Sequence, residues 1–304
     1  MSTAKAGPVD IVYETIGDPS DPPLLLVMGL GMQLIHWDLE LCEQFAGRGF
    51  HVIRFDNRDS GLSTKVEAPV PNVMRLMAGL SADTPYLLRD MAADALGLLD
   101  HLGIERAHVV GTSMGGMIAQ EMAIAAPERV LSLASIMSTT GDRFVGTPKI
   151  RVWGVMMRRA PQDRDAYIEY FARVFRMIGS PAYRPDDERV RELAGASYDR
   201  CHNPAGTARQ LGAILASGSR TAALRELDVP AVVIHGESDP LVPLRAGIAT
   251  AKAIPDAELI KLPGMGHDMP KELWPTFVDA VARNAERAGR LLPPHRGIKR
   301  PTPV

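Results

Sequence analysis

The chain has 304 residues, 46% hydrophobic and 23% charged, which is the range of ordinary globular proteins and excludes extensive disorder. The length fits one large domain, or one domain carrying an insertion. A net charge of −2 offers no electrostatic footprint for nucleic acid. Two cysteines, Cys42 and Cys201, are too few for a disulfide framework and read as reduced thiols, which suits the cytoplasm. The first ten residues lack the apolar core of a signal peptide. The greasiest stretch, 24–35, is short of a membrane span and is broken by glycines and Gln33. The expectation is a cytoplasmic protein with no stable membrane insertion.

Residues 9–16 alternate as a strand does, and turn material follows at Gly17-Asp18-Pro19 and Asp21-Pro22-Pro23. The continuous apolar run 24–28 is the signature of a strand buried on both faces of a parallel sheet. It ends in Gly29-Leu30-Gly31, and a helix is expected over 36–47. A second buried strand, 51–55, runs into Asp56-Asn57-Arg58-Asp59-Ser60-Gly61. Residues 62–84 are irregular and rich in Pro and Met. Apolar residues at helical spacing then predict a helix over 87–102, closed by Gly103. Strands follow at 107–110 and 130–137, with a helix of small and apolar residues between them.

From 141 to about 226 the alternation of strand and helix breaks. Helical patterns recur at 148–159, 163–178, 186–199, 204–216 and 219–226. Alternation resumes with a strand at 231–235, a helix near 243–253, a strand at 258–262 and a helix near 271–287. The pattern predicts a mostly parallel, doubly wound sheet flanked by helices. Its core would be 1–140 and 227–288, with 141–226 inserted as a helical cap and 289–304 a loosely ordered, Pro-rich and basic tail. The cap carries 15 basic and 10 acidic residues, a balance of +5 that leaves −7 for the rest. Solvated helix faces account for such a surplus; the sharper reading is a cap that attracts anionic substrates or a lipid surface.

One stretch, Gly111-Thr112-Ser113-Met114-Gly115, reads as a strand, a tight turn and a buried helix with a serine at the apex. Such a turn strains the apical residue and requires small neighbours two positions either side. A serine hydroxyl needs a base within hydrogen-bond reach. Of eight histidines, His267 stands in the loop after the last predicted strand, Pro263-Gly264-Met265-Gly266-His267-Asp268, where an open parallel sheet places its site. His36, His51, His101, His108 and His235 lie in or beside predicted elements and read as structural. The base needs a carboxylate to hold its tautomer. Asp239, in the turn before Pro240, is the candidate; the alternative reading is a turn aspartate that bonds its own backbone. Asp142 is the rival, and Asp268 is expected to turn away from the histidine beside it.

Serine, acid and base in the order Ser113, Asp239, His267, each after a strand, is the order of the α/β-hydrolase superfamily, which the chain resembles from about residue 9 to 287. Leu-Leu-Val-Met-Gly, Val-Ile-Arg-Phe-Asp and Pro-Gly-Met-Gly-His are similar to its esterase branch that includes aclacinomycin methylesterase. The resemblance implies a catalytic triad of these three residues, a lid over 141–226, and an oxyanion hole made by the backbone N–H groups of Leu30 and Met114. Many relatives carry His-Gly where this chain has Met28-Gly29, a change that leaves the backbone donor in place. Residues 56–63 resemble the superfamily's Asp-x-Arg-Gly-x-Gly-x-Ser loop, departing from it at Asp59 and Ser60, and read as a hydrogen-bonded brace.

A serine at the elbow argues against the epoxide hydrolase and haloalkane dehalogenase branches, which use aspartate. It favours acyl transfer on small-molecule carboxylic esters, with no cofactor and no metal. Thioesters, phospholipids and lactones are close alternatives, as are cofactor-free perhydrolysis and C–C bond cleavage on the same triad. A non-catalytic binding protein of this fold is the remote one. Met28, Met32 and Met265 gather near the inferred site, either as core filling or as a flexible apolar substrate pocket. Oligomeric state leaves no trace in the sequence.

Overall fold

A computed structural model describes residues 1–80, 82–148, 152, 154 and 160–291. Eight strands form one sheet: β1 Ser2–Ala6, β2 Val9–Ile16, β3 Pro23–Val27, β4 His51–Phe55, β5 Ala107–Thr112, β6 Val130–Ile136, β7 Ala231–Gly236 and β8 Glu258–Leu262. The spatial order is β1-β2-β4-β3-β5-β6-β7-β8. Strand β2 is antiparallel to both its neighbours, and every other pairing is parallel. The helices are α1 Leu39–Ala46, α2 Val73–Met77, α3 Leu88–His101, α4 Met114–Ala125, α5 Arg164–Ile178, α6 Asp187–Arg200, α7 Pro204–Ser217, α8 Thr221–Leu224, α9 Leu244–Ala253 and α10 Trp274–Leu291. This is the mostly parallel, doubly wound α/β architecture that the alternation predicts. Among the described residues, the stretch from β6 to β7 holds helices and no strand.

The sheet is buried on both sides, which is why its inner strands read as unbroken apolar runs. Successive side chains of a strand face opposite ways. Leu24 and Leu26 of β3 share one core layer with Phe45 of α1 and Phe277 and Val281 of α10. Leu25 and Val27 share the other with Leu98 of α3 and Ile118 of α4. The parallel strands end on the same edge of the sheet. The loops that leave β3, β5, β7 and β8 therefore gather there, beside the start of the helical stretch.

Two departures from the sequence expectation have local causes. Ser2–Ala6 pairs as an edge strand, with Ala4 opposite Ile11; its inward residues are only Ala4 and Ala6, too small to give an apolar signal. The helix expected over 36–47 begins instead at Leu39, after a 3-10 turn at Leu34–His36. Asp38 stops it there, its carboxylate accepting from the Glu40 N–H at 3.0 Å as an N-cap. Gly103, at φ +67, follows α3 as expected. Most of the helical pattern at 148–159, and the tail beyond 291, lie outside the described residues. Among the described residues no helix is long and apolar enough to cross a membrane.

His108 of β5 is 6% exposed, its Nδ1 2.8 Å from Ser132 Oγ and its ring edge-on to Phe50. Burial, aided by the Arg106 charge, lowers its pKa from 6.5 to about 4. Between those values the unfolded chain binds a proton that the folded chain does not, so stability is lost as pH falls through that window. His108 should remove about 2 kcal/mol of unfolding free energy between pH 7.5 and 5. Urea titrations at both pH values should show a flatter pH dependence in His108→Gln, and equal slopes would refute it.

Candidate active site

Ser113 is the single residue between β5 and α4, and it sits at φ +53 and ψ −119, a strained conformation for a side chain with a Cβ. The space around it is set by backbone against backbone. A Cβ on Gly115 would run into the Val27 carbonyl of β3, and one on Gly111 into the Gly115 carbonyl. The strained residue is pinned from both sides: its N–H donates to the Ile136 carbonyl at 2.9 Å, and its carbonyl accepts from Ser138 Oγ at 2.7 Å. Its hydroxyl is thereby held out at the carboxyl edge of the sheet.

His267 reaches it from the loop after β8. His267 Nε2 lies 3.0 Å from Ser113 Oγ, and Nδ1 lies 2.7 Å from Asp239 Oδ2. A carboxylate can only accept, so Nδ1 carries the proton and Nε2 is left bare toward the serine. Asp239 divides its oxygens. Oδ1 accepts from the Leu241 and Val242 N–H groups, each at 2.8 Å, which leaves Oδ2 to the histidine. Asp239 thus closes its own turn and bonds the imidazole as well. Below it, His235 Nε2 donates to the Val242 carbonyl at 2.7 Å, and burial lowers the pKa of this ring, keeping a second positive charge away from the pair.

Asp142 takes no part, its Oδ1 accepting from the Phe144 N–H at 2.8 Å in its own turn. Asp268 turns away, its Oδ1 accepting from Ser180 Oγ at 2.5 Å. Burial raises the pKa of Asp268. The histidine loop is tied at its backbone as well: Gly266 N–H donates to Ser180 Oγ at 2.9 Å, and His267 N–H to the Ile178 carbonyl at 2.7 Å. The Leu30 and Met114 N–H groups have no acceptor among the described residues. Gly29 brings the β3 loop against the serine, since a Cβ there would lie 3.3 Å from Ser113 Cβ. Met28 and Met265 are buried in the apolar core beneath the site, and the half-buried Met32 packs against both that core and the Phe171 cluster of α5.

The 56–63 loop braces these parts, as its sequence suggested. Asp56 accepts from the Leu34 N–H at 2.7 Å and pairs with Arg200 of α6 at 2.7 Å, and Asn57 donates to the Met28 carbonyl at 3.0 Å. Asp59 occupies a left-handed position, φ +68, where the resembled loop has glycine. Its carboxylate takes a bidentate pair from Arg209 of α7, at 2.7 and 2.9 Å, and a bond from Tyr86 at 2.7 Å. Burial works against that charge, but Arg209 and Tyr86 hold the carboxyl below its usual range. Ser180, Arg200, Arg209 and the buried Gln210 were not singled out by the sequence. For Arg200, Arg209 and Gln210 the only signal is a polar side chain on the inward face of a helix; Ser180 lies in the loop after α5 and carries none. Ser180→Ala should leave the Gly266 N–H and the Asp268 carboxyl short of a partner, costing about 1–3 kcal/mol of stability in denaturant titrations; an unchanged midpoint would refute the bond.

Comparison with known proteins agrees with this architecture. A family model described as alpha/beta hydrolase fold matches residues 22–272. The chain is 27% identical over 301 residues to rhodomycin D methylesterase DnrP of Streptomyces peucetius, covering 92% of this chain and 96% of that one. It is 32% identical over 216 residues to the pimeloyl-[acyl-carrier protein] methyl ester esterase of Chromobacterium violaceum, covering 68% and 80%. Among solved structures, the enol-lactonase from Burkholderia xenovorans LB400 superposes with a TM-score of 0.74 at 22% identity, covering 94% of this chain and all of that one. With its sheet order, its strained serine turn and this match across most of its length, the chain belongs to the alpha/beta hydrolase fold family.

Proposed function

We propose that this carboxylic ester hydrolase works through an acyl-serine intermediate, with Ser113 as nucleophile, His267 as general base and Asp239 as its orienting acid. The observation that carries this is the unbroken line of hydrogen bonds from Ser113 Oγ to His267 to Asp239, at 3.0 and 2.7 Å. Ser113 Oγ attacks the ester carbonyl carbon as its proton passes to His267 Nε2. The carbonyl oxygen becomes an oxyanion, and the N–H groups of Leu30 and Met114 receive it. When the tetrahedral adduct collapses, the alcohol leaves with the proton from His267. Water then attacks the acyl-serine by the same route and releases the acid. In this reading 1–140 and 227–288 form the core that carries the chemistry, and 141–226 is a cap over it.

Methyl esters of a bulky, largely apolar acid are the substrates this reading favours. Two relatives are named for methyl ester hydrolysis, and the half-buried Met32 supplies an apolar, adaptable side chain beside the site, with Met28 and Met265 as apolar packing beneath it. A fluorophosphonate probe should label the wild type and not Ser113→Ala; undiminished labelling of the variant would remove Ser113 from this role. Asp239→Asn should keep the fold but disfavour the required tautomer, lowering kcat on a methyl ester by roughly 10⁴. Turnover of thioesters, lactones or diketones in preference to methyl esters would assign the same triad to a different bond.

A further inference from the structure

Gln210 of α7 reaches out of the helical stretch into the loops beneath it. It is wholly buried (0%), and its amide is fully used. Oε1 accepts from the Gly31 N–H at 2.8 Å, while Nε2 donates to the Arg58 carbonyl at 2.8 Å and to Ser60 Oγ at 3.0 Å. The partners fix which way the amide points, because only its oxygen can take the Gly31 proton and only its nitrogen can serve the Arg58 carbonyl. One side chain thus joins the loop leaving β3 to the loop leaving β4.

The N–H groups of the β3 loop have separate destinations. Met32 N–H donates to the Gly29 carbonyl at 3.2 Å, Gln33 N–H to His36 Nδ1 at 3.0 Å, and Gly31 N–H to Gln210. That leaves the Leu30 N–H without an acceptor among the described residues, next to the glycine that touches Ser113. Gly31 itself is at φ +67, and a Cβ there would press on Thr207 of α7 at 2.9 Å. The Leu30 N–H thus sits in a peptide whose Gly29 carbonyl is held by Met32, and the next peptide, between Leu30 and Gly31, is tied to α7 by Gln210. Without Gln210, the Gly31 N–H would be buried and unpaired, and the loop would turn to satisfy it.

We propose that Gln210 is a positioning residue for the oxyanion hole, holding the β3 loop so that the Leu30 N–H stays aimed at the carbonyl oxygen as it gains charge. This rests on the proposed role of Leu30 and Ser113. The helical stretch then takes part in transition-state stabilisation through α7, beyond covering the site. A donor displaced by a fraction of an ångström loses most of its effect on the transition state and little of its effect on ground-state binding.

The test is Gln210→Met, which keeps the volume and removes all three bonds, assayed on a methyl ester. The expected result is a fall in kcat of about 10- to 100-fold with KM within about threefold of wild type. A trifluoromethyl ketone separates positioning from general damage. Ser113 Oγ adds to its carbonyl carbon, the serine proton passes to His267, and the oxyanion that forms occupies the hole. Its inhibition constant should rise by the factor that kcat/KM falls, while that of the product acid stays the same. A wild-type kcat, a loss confined to KM, or equal weakening of ketone and product would overturn the proposal. If Gln210→Met does not fold, Ser60→Ala removes only one of the three bonds and should show the same pattern at about two- to fivefold; no effect, or an effect on KM alone, would overturn it. Ser113→Ala distinguishes the failures. If that variant still turns over ester, the serine reading is wrong; if it is inactive and Gln210→Met is not impaired, only the role of Gln210 is wrong.

Discussion

The passage from β5 to α4 is made in one residue, and the room for it is defined by main chain on main chain. Gly115 lies so close to the Val27 carbonyl, and Gly111 so close to Gly115, that no side chain fits at either place. This closeness seats α4 against β3 and drives Ser113 to φ +53. A non-glycine residue held there costs on the order of 1–3 kcal/mol, which the surroundings must overcome. They do so by burial of β3, β5 and α4 in the core, and by the bonds from Ser113 to Ile136 and Ser138. The strain is kept because relaxing it would require unpacking the middle of the sheet.

Around that fixed serine the other groups are positioned by polar contacts from outside the sheet. The histidine loop bonds to Ile178 and Ser180, and the β3 loop to Gln210 and, through Gln33, to Ser197. Two buried ion pairs, Asp56 with Arg200 and Asp59 with Arg209, join the 56–63 loop to α6 and α7. Buried pairs of this kind add little net stability, because desolvation offsets their attraction, but breaking one by removing a single partner costs about 3–5 kcal/mol. A shift of either helix would break its pair, so these contacts tie α6 and α7 to the loop. The helical stretch is thus part of the scaffold that sets the geometry of the reactive loops.

Among the described residues, His267 is the imidazole within hydrogen-bond reach of Ser113 Oγ. Asp239 is buried, and its second oxygen is occupied by its own turn, so its charge is directed at His267. His235, nearby and also buried, donates to a carbonyl and has its pKa lowered by desolvation. Asp268, next in sequence to His267, is turned to Ser180.

Much of this was legible from the sequence because it depends on local pattern. Continuous apolar runs named the inner strands, since a strand covered on both faces has no polar side to show. The spacing of Gly111, Ser113 and Gly115 named the turn, since its steric demand falls on residues close in sequence. Chain order and turn chemistry brought out Asp239 and His267. The edge strand at Ser2–Ala6 left no trace, because alanines bury too little surface to be noticed. What only the tertiary structure decided was which polar residues of the helical stretch meet the reactive loops. Gln210 is 179 residues from Gly31, and Arg209 is 150 from Asp59. A buried polar residue on a helix looks in sequence like any other interruption of an apolar face. Its partner is chosen by how the helix is seated in space, and that seating depends on the packing of the whole chain.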